Sequence, residues 1–176
     1  MFHQKNSRIH RLILFFLISF LTNIYTPTKA QTLFADKCLG KWQGIMYMYG
    51  KGQLKDSVPV ELVVEKTSTP NTWTWKTTYL SKTMPAVKYY KLILKDTATQ
   101  TYATDENDGI ELMDYNFINK LYSIFETHNV MLTSSYELQG NYLIFEVTSG
   151  KKLEGMKEVN NYSVLNLQRV VFKKVQ

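Results

Sequence analysis

Residues 37–52, KCLGKWQGIMYMYGKG, decide the fold class. Along this stretch successive side chains alternate between two faces of the chain, up to a glycine-containing turn. Such a period of two is typical of a half-buried antiparallel β-strand. The two faces of the extended chain carry four residues each: Trp42, Gly44, Met46 and Met48 against Lys41, Gln43, Ile45 and Tyr47. The stretch therefore predicts a strand over 40–49 whose Trp42 face is directed towards a core.

The same alternation recurs along the chain in short runs that are separated by residues typical of turns. We predict nine or ten strands in all, with short helical turns at 32–37 and 115–120 and one long loop over 149–161. After the first strand, the predicted strands occupy 57–66, 72–79, 87–95, 101–104, 110–115, 120–127, 130–138, 142–148 and 162–175.

Many short strands in sequence, joined by tight turns, are typical of an all-β sandwich or barrel. Hairpin-like spacing favours the barrel, and closure also removes the exposed sheet edges that attract neighbouring chains. We therefore predict a single antiparallel up-and-down β-barrel of 8–10 strands with a short N-terminal helical turn. This barrel domain is expected over 31–176, and a sandwich is the alternative.

The first thirty residues have the layout of a secretory signal peptide. Three basic residues precede the apolar run LILFFLISFL at 12–21, and Thr28 and Ala30 place small side chains before a cleavage point. A run of ten apolar residues is too short to span a bilayer core of about 30 Å. We therefore expect residues 1–30 to be removed, an exported protein (periplasmic, cell-surface or secreted), and no stable membrane span afterwards.

Charge and motifs exclude several functions for residues 31–176. The whole chain has a net charge of +6, but four of its 21 Lys and Arg residues lie in 1–30, which leaves 17 against 15 Asp and Glu. A net charge of +2 gives no basic stripe for nucleic acid. The DENDG sequence at 105–109 lacks the spacing of a calcium-binding EF-hand loop and predicts a turn.

Neither of the two reactive residue types suggests a catalytic, metal or haem site. Cys38 is the single cysteine of the chain, so it cannot form an internal disulfide, and we expect a free or buried thiol. His128 is the single histidine after residue 30, and its ETHN context predicts an outward-facing turn rather than a haem ligand. No nucleophile motif is evident, so we expect no enzyme, no metal and no cofactor.

The pattern resembles the calycin superfamily, which includes the lipocalins and the fatty-acid-binding proteins. The resemblance rests on a helical turn before Gly40-Lys41-Trp42, on strands in meander order, on domain length, and on Arg169 in the last strand. It implies that Trp42 closes one end of the barrel beneath Arg169, so Gly40, Trp42 and Arg169 form a structural signature. The chain lacks the cysteine pair and the middle-strand loop motif of typical lipocalins.

The resemblance also implies that a small hydrophobic molecule binds inside the barrel, in a cavity lined by aromatic and methionine side chains. The alternative is a barrel with a filled core that acts as an interaction module of the cell envelope, with Tyr47, Tyr49, Tyr89 and Met113 as an outer patch. The predicted ligand-binding residues are Met46, Met48, Trp73, Trp75, Tyr90, Leu92, Phe125, Tyr136 and Phe145.

Overall fold

The computed structural model of the protein describes residues 32–155 and 158–175, so the predicted signal peptide lies outside the described residues. Ten antiparallel strands follow one another around a closed up-and-down barrel, which confirms the predicted fold class. The strands are β1 (Gly40–Gly50), β2 (Gln53–Val64), β3 (Thr72–Tyr79), β4 (Ala86–Asp96), β5 (Thr101–Asp105), β6 (Glu111–Phe117), β7 (Lys120–Thr127), β8 (Val130–Gln139), β9 (Tyr142–Leu153) and β11 (Asn166–Val175), with the two-residue β10 (Asn161–Tyr162) paired outside the ring to the end of β9.

The ring closes because β11 pairs with β9 on one side and with β1 on the other. Where β1 meets β11, Gly44 allows an unusually close approach. A Cβ atom at Gly44 would lie 2.6 Å from the carbonyl oxygen of Val171. Any larger residue at this position would push the first and last strands apart, so the glycine belongs to the closure itself.

A short helix, α1 (Phe34–Lys37), packs against the end of the barrel at which β1 begins, here called the closed end. Phe34 and Ala35 are fully buried, and the backbone N–H of Phe34 donates to Oε1 of Gln100 at 3.1 Å. The helical turn predicted at 32–37 is confirmed. In the part of the chain that the structure describes, no helix has the length and apolar character needed to cross a membrane.

Three local predictions are wrong. The last predicted strand, 162–175, is divided, because residues 163–165 separate β10 from β11. The other two errors concern strands that run further than expected. Residues 115–120 form no helical turn, because Phe117 and Lys120 pair across a two-residue turn in which Ile118 has a φ of 62°. The predicted loop 149–161 is shorter, because β9 continues to Leu153 alongside β8, where Val130 pairs with Lys151.

The inward-facing rows agree with the alternation read from the sequence. Directly paired residues on neighbouring strands share a face, and the row that begins with Trp42 and Met46 is buried. Towards the closed end these rows fill the interior with large side chains. The fully buried residues there include Phe34, Trp42, Leu62, Tyr102, Leu121, Leu143 and Phe172.

Arg169 does not cover Trp42, which corrects the arrangement implied by the resemblance. The inward positions of β11 are occupied by alternate residues such as Val170 and Phe172, so Arg169 is directed outwards. It lies opposite Tyr47 on β1, and its Nε donates to Glu146 at 3.2 Å. The strand register thus leaves Arg169 in a surface ion pair.

Lys174 takes the position over Trp42 that was expected for Arg169. Its ammonium lies 5.3 Å from the centre of the Trp42 ring, and the indole Nε1 donates to the carbonyl oxygen of Cys38 at 2.7 Å. Gly40 has a φ of +119°, and a Cβ atom there would lie 2.9 Å from Cε of Lys174. The Gly-x-Trp sequence therefore provides both the ring and the space for the lysine that crosses it.

We expect Lys174→Ala to lower the free energy of unfolding by about 1–2 kcal/mol, because the cation–π contact and the packing of the lysine stem are lost. Lys173→Ala is the matched control, since Lys173 faces outwards opposite Gln43, and it should change stability by less than about 0.5 kcal/mol. Urea denaturation of both variants measures the difference. Equal midpoints for the two variants would contradict this account of the closed end.

Candidate ligand-binding cavity

A cavity of about 200 Å³ occupies the interior towards the end of the barrel opposite α1. Eight of the ten barrel strands contribute to its wall, together with Glu106 from the turn after β5. Two kinds of side chain make up most of the wall. The aromatic ones are Trp75, Tyr79, Tyr90, Phe125, Tyr136 and Phe145, and the polar ones are Thr104, Glu106, Asp114, Ser123, Ser134 and Gln168.

The aromatic part of the wall is built on a cross-strand pair. Tyr136 on β8 lies directly opposite Phe145 on β9, and their rings stack with centroids 4.4 Å apart. Trp75 meets Tyr136 edge-on at 5.2 Å. Because each ring is held by its neighbour, the three rings form a rigid apolar surface.

Asp114 is the most distinctive polar group of the cavity, since it is a carboxyl group with only 5% of its surface exposed. It lies on β6 opposite Tyr102, and Thr104 Oγ1 donates to its Oδ2 at 2.8 Å. Burial raises the pKa of Asp114 to about 6, and the hydrogen bond from Thr104 partly opposes that shift. The carboxyl group therefore changes charge close to neutral pH.

The ionisable groups of the cavity wall are acids. Among the residues that the structure describes, the lining includes two carboxyl groups, Glu106 and Asp114, but no Lys, Arg or His. A second polar feature is the Nε1 of Trp75, which is buried and has no hydrogen-bond partner among the described residues. The interior thus combines aromatic surface, negative charge and hydroxyl groups.

Five of the nine predicted ligand-binding residues lie in the cavity wall: Trp75, Tyr90, Phe125, Tyr136 and Phe145. The other four lie elsewhere in the interior. Met46 and Leu92 are buried in the core, and Met48 packs partly buried against it. Trp73 is held at the closed end, where its Nε1 donates to Asp36 at 2.9 Å.

The polar lining residues were missed because the sequence was read for large apolar side chains. A signal was nevertheless present, since Ser134 and Ser123 stand two positions before the predicted Tyr136 and Phe125 and therefore share their face. Asp114 likewise stands two positions after Leu112 on β6, so these two residues share one face of the strand. A carboxylate in an inward row is the feature that would have indicated a polar anchor.

The other residues considered from sequence lie away from the cavity, with one exception. His128 is exposed in the turn between β7 and β8, as predicted, and Cys38 is a free, buried thiol. Burial raises the pKa of Cys38 to about 12, so the thiol stays protonated and unreactive. The exception is the DENDG turn, which contributes Glu106 to the cavity wall.

No protein-family model matches this chain, and no curated protein matches it. The closed ten-stranded antiparallel barrel is consistent with a lipocalin-like barrel.

We expect Asp114→Asn to become more stable relative to the native protein as the pH rises from 4 to 7. The folded pKa near 6 lies above the unfolded value of about 3.9, so between these pH values the folded protein keeps a proton that the unfolded chain has lost. Stability from this group is complete below pH 4 and is lost by about 2–3 kcal/mol as pH rises through 6. Asparagine stays neutral and avoids that loss.

Urea denaturation of both proteins at several pH values between 4 and 8 measures this effect. The pH 4 comparison serves as the reference point, because the carboxyl group is protonated there in the folded state and in about half of the unfolded chains, so that the effect is smallest. A stability difference that stays constant across the range would show that Asp114 is not desolvated in the folded state.

Proposed function

We propose that the protein is an exported, lipocalin-like binding protein that carries one small hydrophobic molecule inside its barrel. The observation that carries the proposal is the cavity of about 200 Å³ with the Trp75, Tyr136 and Phe145 rings on its wall. Binding sites for small molecules are typically concave and mostly apolar, with a few polar groups that fix orientation. This cavity has both properties.

Its size supports a ligand of one aromatic ring system with a short substituent. An engineered apolar cavity of about 150 Å³ in another protein binds benzene, which gives the scale. We propose that the ring contacts Trp75, Phe125, Tyr136 and Phe145, with Tyr90 towards the end of the barrel opposite α1. A long acyl chain is disfavoured, because the closed-end core occupies the remaining interior.

Export and distant kinship with the calycins are further parts of the proposal. Export is supported by the signal-peptide layout of residues 1–30. Kinship is supported by strand order, by ring closure and by the Gly40-Lys41-Trp42 sequence at the start of β1, beside α1. Arg169 does not cover Trp42, so the most specific contact implied by the resemblance is absent. This difference is consistent with a distant relationship.

Binding is favoured over catalysis by the neighbours of the cavity's carboxyl group. Asp114 is hydrogen-bonded to Thr104, and the groups around the wall are mainly aromatic rings and hydroxyls. His128, the single histidine of the described residues, is exposed in a turn away from the cavity. We therefore propose no reaction at this cavity.

A second candidate function, an envelope interaction module, is favoured by a different observation. Five large apolar residues on β6 and β7 are exposed: Met113, Tyr115, Phe117 (64%), Tyr122 and Ile124 (70%), with Tyr115 and Tyr122 directly paired. Exposed apolar patches of this kind often mark interaction sites. The outer patch predicted from sequence is less compact, because Tyr47 and Tyr49 lie on β1, Tyr89 lies on β4 and Met113 lies on β6, and these three strands are not neighbours.

We expect 3-ethylindole, a neutral one-ring-system probe, to bind the native protein in isothermal titration calorimetry, with one molecule per chain. Ser134→Phe should abolish binding, because the new ring would occupy the cavity. Ser135→Phe is the matched control, since Ser135 is the next residue of β8 and alternation directs it outwards, and it should bind as the native protein does.

Circular dichroism of both variants verifies that the barrel is retained. Absence of binding to the native protein, or equal binding by both variants, would overturn the cavity as the site. If the native protein binds no probe, and if the substitution Ile124→Ser removes its binding to a protein partner, the interaction module is favoured instead.

A further inference from the structure

We propose that the cavity selects a cationic amphiphile: an aromatic ring system with a protonated amine on a short chain, whose ammonium group binds at Asp114. This inference deepens the proposed binding function and rests on it. It concerns the charge of the ligand, which the apolar wall alone leaves open.

The first observation is the sign of the charge inside the barrel. The two carboxyl groups of the lining, Glu106 and Asp114, have no Lys, Arg or His beside them among the described residues of the cavity wall. A buried carboxylate without a positive partner is unfavourable, because the low-dielectric interior does not replace its hydration. A ligand ammonium would provide the missing charge, whereas a ligand carboxylate, such as that of a fatty acid, would be repelled.

The second observation is the hydrogen-bonding capacity around Asp114. An ammonium has three N–H donors and no acceptor. Asp114 accepts one bond from Thr104, which leaves further carboxylate lone pairs, and Ser123 on the neighbouring β7 donates to the carbonyl oxygen of Met113. The hydroxyl oxygen of Ser123 therefore keeps its acceptor capacity, and both groups line the same cavity.

The third observation is the distribution of polar and aromatic groups around one small volume. Asp114, Thr104 and Ser123 come from the adjacent strands β5, β6 and β7, while the stacked Tyr136 and Phe145 come from β8 and β9. A ring with a two-carbon amine chain matches this division, with its apolar end on the aromatic rings. Aromatic faces also attract a nearby cation.

The amine preference should depend on pH through Asp114, whose pKa of about 6 places its ionisation near neutrality. The other titratable groups near it are Tyr102, its cross-strand partner, and the lining residues Glu106, Tyr79, Tyr90 and Tyr136. Burial raises the pKa of Tyr102 and Tyr90 to about 12, so neither is charged at neutral pH. Amine affinity should therefore increase as the pH rises from 5 to 7.5.

The test compares three probes that share the indole ring with a two-carbon chain on C3: 3-ethylindole, in which the chain ends there (neutral), tryptamine, in which it carries an ammonium (cationic), and indole-3-propionate, in which it carries a carboxylate (anionic). At pH 7.5, calorimetry should give an affinity for tryptamine at least about tenfold above that for 3-ethylindole, with indole-3-propionate weakest. Asp114→Asn should remove the advantage of tryptamine and leave 3-ethylindole binding within about threefold of the native value.

Asp56→Asn is the matched control, because it makes the same chemical change at an exposed position of β2, a strand that contributes no lining residue. It should preserve the order of the three affinities. The same order in Asp114→Asn as in the native protein would overturn the role assigned to Asp114.

The outcomes separate this inference from the function on which it rests. If 3-ethylindole binds and tryptamine binds no better, the cavity is a binding site but the amine selection is wrong. If none of the three probes binds the native protein, the proposed binding function fails and the amine selection fails with it.

Discussion

Closure of the β-sheet between the first and last barrel strands is the constraint on which the rest of the structure depends. β11 must pair with β1 and β9 at once, and the backbone of β1 approaches it so closely that Gly44 has no room for a side chain. Once ten strands are closed, the radius of the barrel is set by strand number and stagger rather than by the side chains inside. The interior is then a fixed volume that the inward residues fill or leave open.

That fixed volume is used differently at its two ends. At the closed end, α1 and the rings of Trp42, Trp73 and Phe172 form a packed core, tied down by the hydrogen bonds from Trp42 to Cys38 and from Trp73 to Asp36. Towards the other end, small inward residues such as Ser123 and Ser134 stand among the aromatic side chains. Because small side chains cannot fill a barrel of this radius, a cavity remains above a core that supplies the stability.

Asp114 connects this division of the interior with the proposed binding function. Its carboxyl group is held in a largely apolar interior at a cost to the folded state that increases as it ionises. A residue that disfavours folding at neutral pH contrasts with the close packing at the closed end. Binding sites often contain groups that lower the stability of the free protein and that interact favourably with a ligand.

The sequence by itself determined which segments are strands and which face of most of them is inward, because the period-two alternation of residues such as Trp73 and Trp75 is a local property of an extended chain. It also identified five aromatic residues of the cavity wall. Only the tertiary structure decided that Lys174 rather than Arg169 crosses Trp42, that β9 extends beside β8, and that Asp114 shares a cavity with Tyr136 and Phe145. These features depend on register between strands and on the volume left inside a closed ring, and both arise from pairing between residues that are distant in the chain.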